Sequence, residues 1–294
     1  MRKLFYIGHN PTCTHWDRIW SKRTIENELD ACDIETAPRV MFLKYLPKIG
    51  KIVDAGCGFG KWVIYLTKLG YNIKGIDNND FAIKNLKEFD SSLQVESGDI
   101  LNLKYPDNYF DAYISMGVVE HFQNGPSVAL NEAYRVLKSN GIIFVSTPMV
   151  NIIRKIVLQP ILDIISRFYY ILKRVNSIIR RKNDMSLYSS PVEKKKRNNK
   201  VYHFVEYRYS VKELQEFLNQ ANFEILQTIP HDFQGSKNHN IGLGVDFPFL
   251  KAWNSINFEL NFIGKLIAHI TERSSPWITS ASVLCVAKSL KEET

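Results

Sequence analysis

A turn that contains three glycines constrains the fold of this chain more than any other feature of its sequence. Residues 52–60 read Ile-Val-Asp-Ala-Gly-Cys-Gly-Phe-Gly, and the apolar run at their start ends at Asp54. The glycines follow at every second position: Gly56, Gly58 and Gly60. Residues 61–69 then carry apolar side chains at the spacing of a helix. A strand, a glycine turn and a helix in this order let the backbone approach a nucleotide-like ligand closely.

The acid before the glycines narrows the class of ligand. Asp54 lies two residues before the first glycine, and the glycine spacing is G-x-G-x-G rather than the G-x-G-x-x-G of dinucleotide-binding proteins. A carboxylate at the end of this strand would repel a pyrophosphate. It suits a ligand that carries an amino group and a sulfonium cation.

The whole nonapeptide resembles motif I of the class I S-adenosylmethionine (SAM)-dependent methyltransferases, whose usual form is (V/I/L)-(L/V)-D-x-G-C-G-x-G. The resemblance implies a Rossmann-like α/β fold with SAM as cofactor. It also implies that Asp54 faces the methionyl end of SAM, and that Cys57 lies with the glycines in the cofactor site. Arg39, which precedes the first strand, is expected to meet the cofactor carboxylate, or else to be a surface arginine of a helix.

Two further acids lie at positions where such a fold is expected to bind its cofactor, and the first of them ends the second predicted strand. A second strand is predicted over residues 72–77, and its last residue, Asp77, lies at the distance of ~20 residues expected for an acid that binds a ribose diol. Asn78 follows it in the same site, and a helix is predicted over residues 79–89 with Asn78 or Asn79 as its cap.

A third strand is predicted over residues 93–96, followed by the turn Ser-Gly-Asp-Ile. In the family that this chain resembles, the acid of that turn lies by the adenine amino group and the next residue packs on the ring. The resemblance therefore assigns Asp99 and Ile100 to the adenine end of the cofactor site.

A fourth strand is predicted over residues 110–115, and the segment that follows it indicates the chemistry. Residues 116–122 read Met-Gly-Val-Val-Glu-His-Phe, and together with the strand they resemble the family pattern F-D-x-(V/I)-x(5,6)-(L/V)-E-H. Met116 is expected to contact the cofactor. His121 is the candidate general base, with Glu120 beside it, because an imidazole with a pKa near neutrality suits the deprotonation of a hydroxyl. The alternative is a structural histidine at the start of a helix.

The same segment also bears on the class of methyl acceptor and on metal binding. Amino-directed nucleic-acid methyltransferases of this fold carry (N/D/S)-P-P-(Y/F) here, whereas this chain has Ser-Met-Gly-Val at residues 115–118. The resemblance therefore favours an oxygen, or less strongly a carbon, of a small or lipid-linked acceptor. Ubiquinone-pathway O-methyltransferases carry E-x-x-E-H, which resembles a magnesium site, but Gly117 replaces the first acid. We expect no metal.

The remaining segments complete the expected fold: an α/β protein with a Rossmann-like, seven-stranded mixed sheet, helices on both faces, and helical insertions that form a lid. Helices are predicted over 126–137 and 211–221, a turn over 139–141, and strands over 142–146, 223–229 and 282–287. The predicted core comprises residues 35–150, which bind SAM, residues 203–230, which continue it, and residues 281–294, which hold the last strand and a tail. Residues 1–34 are predicted to form an N-terminal lid segment with Trp16, Arg18 and Trp20. Two helical insertions are predicted: a basic amphipathic one with a mobile loop over 151–202, and a second over 231–280 with a helix over 250–271.

The formal net charge of +8 is concentrated in the first insertion. Residues 151–200 hold 13 Lys/Arg and three Asp/Glu, whereas the rest of the chain is close to neutral. Residues 151–182 combine this charge with an apolar stripe, which is typical of a helix that lies in a membrane interface. A cap helix that packs on the domain or on a second copy is the other main interpretation. A nucleic-acid partner is disfavoured, because the basic residues flank a continuous apolar face.

The four cysteines show no metal-like pairing, which indicates free thiols in a reducing compartment. The amino terminus has no long apolar stretch typical of a secretory signal. We therefore expect a cytoplasmic protein, associated with the cytoplasmic face of a membrane if residues 151–182 bind lipid. Two alternatives to the predicted O-methyltransferase stay open: a methyltransferase for a sugar or other anionic intermediate, and a non-catalytic SAM-binding protein that docks a membrane or partner. The oligomeric state is open.

Overall fold

A computed structural model of the protein describes the following residues: 3–8, 16, 20, 21, 23–34, 36–150, 160, 164, 167, 168, 202–231, 261–271 and 275–292. The strands in these ranges are β1 (Lys3–Gly8), β2 (Ile52–Ala55), β3 (Ile73–Asp77), β4 (Val95–Ser97), β5 (Phe110–Met116), β6 (Leu137–Pro148), β7 (Tyr202–Arg208), β8 (Phe223–His231) and β9 (Ser282–Ser289). The helices are α1 (Ile25–Ile34), α2 (Thr36–Tyr45), α3 (Lys61–Lys68), α4 (Asp80–Phe89), α5 (Ser127–Val136), α6 (Val211–Gln220), α7 (Phe262–Thr271) and α8 (Pro276–Thr279), with a 3₁₀ turn over Val119–His121.

Seven of these strands form one sheet in the order β4-β3-β2-β5-β6-β9-β8. The pairs from β4 to β6 are parallel, and β9 is antiparallel to both of its neighbours, β6 and β8. The strand order reverses between β2 and β5, and ligands of open α/β sheets bind beyond the carboxyl ends of the strands at such a point. The expected seven-stranded mixed sheet is confirmed, and its topology places a binding crevice at the ends of β2 and β5.

Helices cover both faces of this sheet, as expected. On one face, α2, α3 and α4 contribute Phe42, Trp62 and Leu86 to an apolar core. On the other face, α5 and α6 contribute Leu130 and Leu214 to a second core. These five side chains are almost inaccessible to solvent, and burial of side chains of this kind contributes about 1.5–3 kcal/mol each. The two cores therefore hold the strand ends, and the turns that follow them, in fixed positions.

The strand β6 differs from the expected turn and short strand. It begins at Leu137 instead of Ile142 and continues to Pro148. Its register with β5 shifts between the pair Phe110 and Leu137 and the pair Ala112 and Ile142. The expected turn is therefore a bulge inside a continuous strand, in which Asn140 takes a left-handed φ of 59°. Asparagine tolerates this conformation better than other residues that carry a side chain.

A second, two-stranded sheet has no counterpart in the sequence-based expectations. In it β1 pairs antiparallel with β7, from Lys3 opposite Arg208 to Gly8 opposite Tyr202. β7 also packs against the 3₁₀ turn that follows β5. This small sheet therefore lies beside the crevice and brings two segments that are distant in sequence close to it.

Much of the two predicted insertions lies outside the described residues. The expected helix over 151–182 is represented only by residues 160, 164, 167 and 168, and residues 250–260 of the second expected helix are not covered. α7 supplies the end of that second helix, and its Phe262 and Ile270 are exposed. Among the described helices, none has the length and apolar character needed to cross a membrane.

Candidate functional site

The glycine turn between β2 and α3 requires its glycines for two reasons. All three take left-handed backbone conformations, with φ values of 83° at Gly56, 53° at Gly58 and 63° at Gly60. A Cβ atom on the first would lie 2.5 Å from Val118, on the second 2.4 Å from Trp20, and on the third 2.8 Å from Leu86. The turn is therefore in close contact with the segment after β5 and with the N-terminal segment.

Asp77, the last residue of β3, is fixed by backbone donors. Its Oδ2 accepts a hydrogen bond from the Gly58 N–H at 2.7 Å, and its Oδ1 accepts one from the Asn79 N–H at 2.8 Å. Burial raises the pKa of the Asp77 carboxyl, and these donors, with the N–H of Asn78, act in the opposite direction. Asn79, rather than Asn78, is the cap of α4, because its Oδ1 accepts from the N–H of Ala82.

Asp54 is almost fully buried at the end of β2. Burial raises its pKa to about 7, the nearby charge of Asp77 adds to this rise, and Lys61 opposes it. Cys57 is also buried in the turn, and burial raises the pKa of its thiol well above the ordinary value. The carboxyl ends of β2 and β3 therefore bring a buried acid, Asp54, close to a partly buried one, Asp77, an arrangement that favours a cationic ligand.

The turn after β4 holds the two residues assigned to the adenine end. Asp99 is exposed, and its Oδ1 accepts a hydrogen bond from the N–H of Leu101 at 2.9 Å. Ile100 is buried in the core that α5 and α6 share with the sheet. Asp99 therefore lies on the surface beyond the carboxyl end of β4, and the neighbouring Ile100 lies in the core.

Two other expected cofactor residues, Met116 and Arg39, lie on β5 and α2. Met116 is the last residue of β5 and packs partly buried against the core of α2, α3 and α4. The guanidinium carbon of Arg39, on α2, lies 6.0 Å from the centre of the Tyr65 ring on α3. Arg39 is thus held against the helix that the glycine turn begins.

The 3₁₀ turn after β5 carries Glu120 and His121. Glu120 is 1% exposed, and its Oε2 has no hydrogen-bond partner among the described residues. Burial raises its pKa well above the ordinary value, and the nearby charge of Glu206 raises it further. The Nε2 atom of His121 lies 3.7 Å from the Glu120 Oε1, which is longer than a hydrogen bond. Burial therefore favours the neutral form of Glu120 beside the imidazole.

Three contacts at or just after this turn were not assigned from the sequence. The ring of Trp16 lies edge-on to His121, with 4.7 Å between the ring centres. Glu206 of β7 is close enough to affect Glu120, and the Tyr207 hydroxyl donates to the backbone oxygen of Gln123 at 2.7 Å. The alternation of apolar and charged residues over 204–208 was the available sign that this segment is a strand.

The described part of the chain holds no group of three or more His, Cys, Asp or Glu residues placed to bind a metal ion. Gly117, at the place of the first acid in the magnesium-binding pattern, takes a φ of 77° that suits glycine.

Comparisons with known proteins agree with this geometry. A family model described as "Methyltransferase domain" matches residues 53–145. This range runs from β2 to β6 and includes the glycine turn, the acids of β3 and the 3₁₀ turn. A methyltransferase solved in complex with the Trm112 methyltransferase activator of Haloferax volcanii superposes with a TM-score of 0.57 at 15% identity, over 95% of this chain and 100% of that chain. At this identity the likeness shows the fold alone.

Similar proteins of known sequence share the same region. The sterol 24-C-methyltransferase erg6 of Aspergillus fumigatus is 31% identical over 99 residues, 31% of this chain and 26% of the relative. A tRNA (carboxymethyluridine(34)-5-O)-methyltransferase of Arabidopsis thaliana is 34% identical over 111 residues, 36% of this chain and 26% of the relative. The chain thus spans about a quarter of the length of these relatives. Residues 53–145 are therefore similar to a methyltransferase domain, and the chain has the fold of the class I SAM-dependent methyltransferases.

Proposed function

We propose that this chain transfers the methyl group of SAM to an oxygen of a small or lipid-linked acceptor, with a carbon acceptor less favoured. The observation that carries the proposal is the contact of Val118 with Gly56, which joins the turn after β5 to the glycine turn. Because His121 lies three residues after Val118, this contact supports a position for the imidazole near the proposed cofactor site. A base at that place is what a hydroxyl acceptor needs.

The residues of the crevice fit SAM. Asp77 still has lone pairs after accepting two backbone N–H groups, so it can bind a ribose diol. Asp54 lies where the methionyl ammonium group would be, and a cation there would stabilise its ionised form. We also assign Arg39 to the carboxylate of the cofactor, and Asp99 and Ile100 to its adenine. The remaining residues that we assign to the cofactor site are Gly56, Cys57, Gly58, Gly60, Asn78 and Met116.

The chemistry divides between the cofactor and the protein. SAM, when bound, supplies an electrophilic methyl group on a sulfonium sulfur. His121 accepts the hydroxyl proton of the acceptor at a ring nitrogen as that oxygen takes the methyl group. Burial of Glu120 favours the neutral form of its carboxyl group, so this acid places little negative charge beside the imidazole. Trp16, edge-on to the imidazole, shields it from water.

The names of the relatives do not decide the acceptor. One relative is a sterol 24-C-methyltransferase, and others are tRNA methyltransferases. Our expectation that nucleic acid is not a partner therefore stays a prediction. The alternatives are a sugar or other anionic intermediate held by the basic insertion, and a SAM-binding protein without catalysis.

The acceptor class can be tested with methyl-labelled SAM. Wild-type protein and His121→Ala would each be incubated with a lipid extract, a polar small-molecule extract and bulk tRNA, and the products read by mass spectrometry. We expect label in the lipid or small-molecule fraction with wild type, and far less with the variant. Label in tRNA alone would refute the proposed acceptor. SAM binding without any labelled product would favour the non-catalytic alternative.

The membrane interpretation needs a separate measurement. Wild-type protein and a variant in which a neutral linker replaces residues 151–200 would be pelleted with anionic liposomes at low and high salt. We expect salt-sensitive pelleting of wild type only, because the net charge of +10 lies in the replaced segment. Equal pelleting of both proteins, or of neither, would remove this segment as a membrane contact.

A further inference from the structure

The helix α7 of the second insertion presents large apolar side chains to the solvent. Phe262, Ile263, Leu266 and Ile270 are between 50% and 81% exposed. At 3.6 residues per turn these four positions lie within about 100° of one another, so they form one face of the helix. Gly264 lies on the opposite side and is buried. The helix therefore packs on its smallest residue and leaves its large apolar side chains mostly uncovered.

Basic and polar residues lie beside this apolar face. At the start of the helix, the Asn261 Oδ1 accepts a hydrogen bond from the N–H of Gly264 at 2.9 Å. Lys265 and His269 are exposed, and they lie one turn apart along the border of the face next to Phe262. Residues 262–271 contain no Asp or Glu. An apolar face with a basic border is typical of a helix that lies in a membrane interface.

The described residues of the first insertion show the same combination. Ile164 and Phe168 lie four residues apart in sequence, and both are more than half exposed. Arg167, between them, is exposed as well. The segment 151–200 carries the net charge of +10. Two insertions that are separate in sequence thus both combine exposed apolar side chains with positive charge.

Both insertions are attached to the sheet at the edge where the crevice lies. β6 ends at Pro148, and the next residue, Met149, pairs with Tyr209, where the chain returns from the first insertion and β7. The second insertion leaves β8 at His231 and returns at Ser282, which is opposite both His231 and Pro148. Because β2, β5 and β6 are parallel, their carboxyl ends lie at this same edge.

We propose that the apolar face of α7 lies in the interface of an anionic membrane. Its apolar side chains enter the boundary of the acyl chains, while Lys265 and the basic residues of the first insertion face the acidic headgroups. A second copy of the chain suits this surface less, because a two-fold interface would bring the same positive charges together. A membrane at this edge also brings a lipid-linked acceptor to the crevice, but the contact itself does not depend on the proposed methyl transfer.

The test is sedimentation of the full chain with vesicles of phosphatidylcholine and phosphatidylglycerol, and with vesicles of phosphatidylcholine alone. Wild type would be compared with the double variant Leu266→Gln and Ile270→Gln. Glutamine leaves the net charge unchanged and is a good helix former, so the variant loses apolar surface alone. The matched control is Ile49→Gln, because Ile49 precedes β2, at the opposite edge of the sheet, and is 95% exposed.

We expect the double variant to bind the anionic vesicles about tenfold more weakly than wild type, and Ile49→Gln to bind them within about twofold of wild type. Wild type should bind vesicles of phosphatidylcholine alone at least about tenfold more weakly than the anionic ones. If the double variant does not fold, Leu266→Gln alone decides, with an expected loss of about threefold.

Equal binding of wild type and the double variant would overturn the proposal. Wild type that binds neither kind of vesicle, or both equally well, would overturn it too. Sedimentation equilibrium without vesicles tests the other occupant, since a wild-type dimer that the double variant converts to a monomer, with vesicle binding unaltered, would assign the face to a second copy. The vesicle assay contains neither SAM nor acceptor, so its failure is distinguishable from a failure of methyl transfer.

Discussion

The two turns that meet at the crevice differ in the groups that form them. The turn after β2 uses the backbone: three glycines with left-handed φ, and N–H groups that hold Asp77. The turn after β5 uses side chains: Glu120 lies beside His121, and the ring of His121 lies edge-on to that of Trp16. A backbone site suits a ligand common to a whole superfamily, whereas a side-chain site can be changed residue by residue.

The two turns also differ in where their partners come from. The glycine turn is completed by Asp77, at the end of the very next strand. The turn after β5 receives Trp16 from the N-terminal segment and is close to Glu206 of β7, which pairs with β1. The proposed cofactor side is therefore a local structure, and the proposed acceptor side depends on segments that are distant in sequence. Breaking one side should leave the other intact.

The largest effect is expected from the acceptor side. His121→Ala should lower kcat by about 10²–10⁴-fold, because the acceptor loses its base, while the affinity for SAM stays within about twofold. Single-turnover assays on the acceptor found with labelled SAM, with calorimetry beside them, measure both quantities. The matched variant is His121→Gln, which keeps a polar side chain and should be equally slow. Full activity of either variant would leave His121 with a structural role.

The cofactor side should respond in the opposite way. Asp77→Ala removes an acceptor for two backbone N–H groups and the expected ribose ligand, so SAM affinity should fall about 100-fold or more. The matched control is Asp80→Ala, which removes an exposed acid three residues later that bonds to Ser97. It should bind SAM like wild type. Calorimetry that shows the same affinity for Asp77→Ala and wild type would refute the assignment of this site.

The pH dependence of SAM affinity is a further way to separate the proposed cofactor site from the turn after β5. The pKa of Asp54 is raised to about 7, so below that pH the acid is neutral and loses its attraction for a cation. We expect SAM affinity to fall by up to about tenfold per pH unit below 7 and to level off above it. Asp54→Asn should bind SAM weakly at all pH values and should not show this slope. A wild-type affinity that does not change between pH 5.5 and 8 contradicts the prediction.

The same acid has a consequence for stability. Between its ordinary value of 3.8 and about 7, Asp54 holds its proton in the folded state and loses it in the unfolded state. The contribution of this group to the free energy of unfolding therefore decreases as pH rises through that window and is constant above it. SAM should raise the melting temperature more at pH 8 than at pH 5.5.

A smaller effect tests the contact between the N-terminal segment and the glycine turn. Gly58→Ala should destabilise the protein through its left-handed φ, about 1–2 kcal/mol, and through the clash with Trp20. In a Trp20→Ala background the clash is gone, so the cost of Gly58→Ala should be lower by about 1 kcal/mol. Gly60→Ala faces Leu86 instead and should show no such coupling. Denaturant unfolding of the single and double variants measures these differences, and strictly additive costs would exclude the contact.

The glycine turn, the acid of β3 and the order of the core elements could be predicted from the sequence because they depend on local backbone geometry. Glycine at every second position after an apolar run, followed by an acid at residue 77, is typical of a strand that turns tightly into a helix. The sequence could not tell which atoms fill the space above each glycine. That Val118 and Trp20 occupy it follows from packing, and packing is decided by parts of the chain that are far apart.

The pairing of β1 with β7 and the extent of β6 were missed for related reasons. β1 and β7 lie at opposite ends of a long stretch of sequence, and neither carries a signal that names its partner. The residues 139–141 are typical of a turn, and in the structure they do bulge, but the pairs that β5 makes with Leu137 before them and Ile142 after them keep the segment one strand. In both cases, pairing with a neighbouring strand overrides the local preference of the sequence.

The position of β9 has a consequence for how the protein is made. β9 is the last strand along the chain, yet it lies inside the sheet, between β6 and β8. While the chain is being synthesised, β6 has an unpaired edge and β8 has no neighbour until residues 282–289 have left the ribosome. The crevice-forming strands β2 to β6 can assemble earlier. A nascent chain of this protein could therefore already bind its cofactor while its sheet is still open at one side.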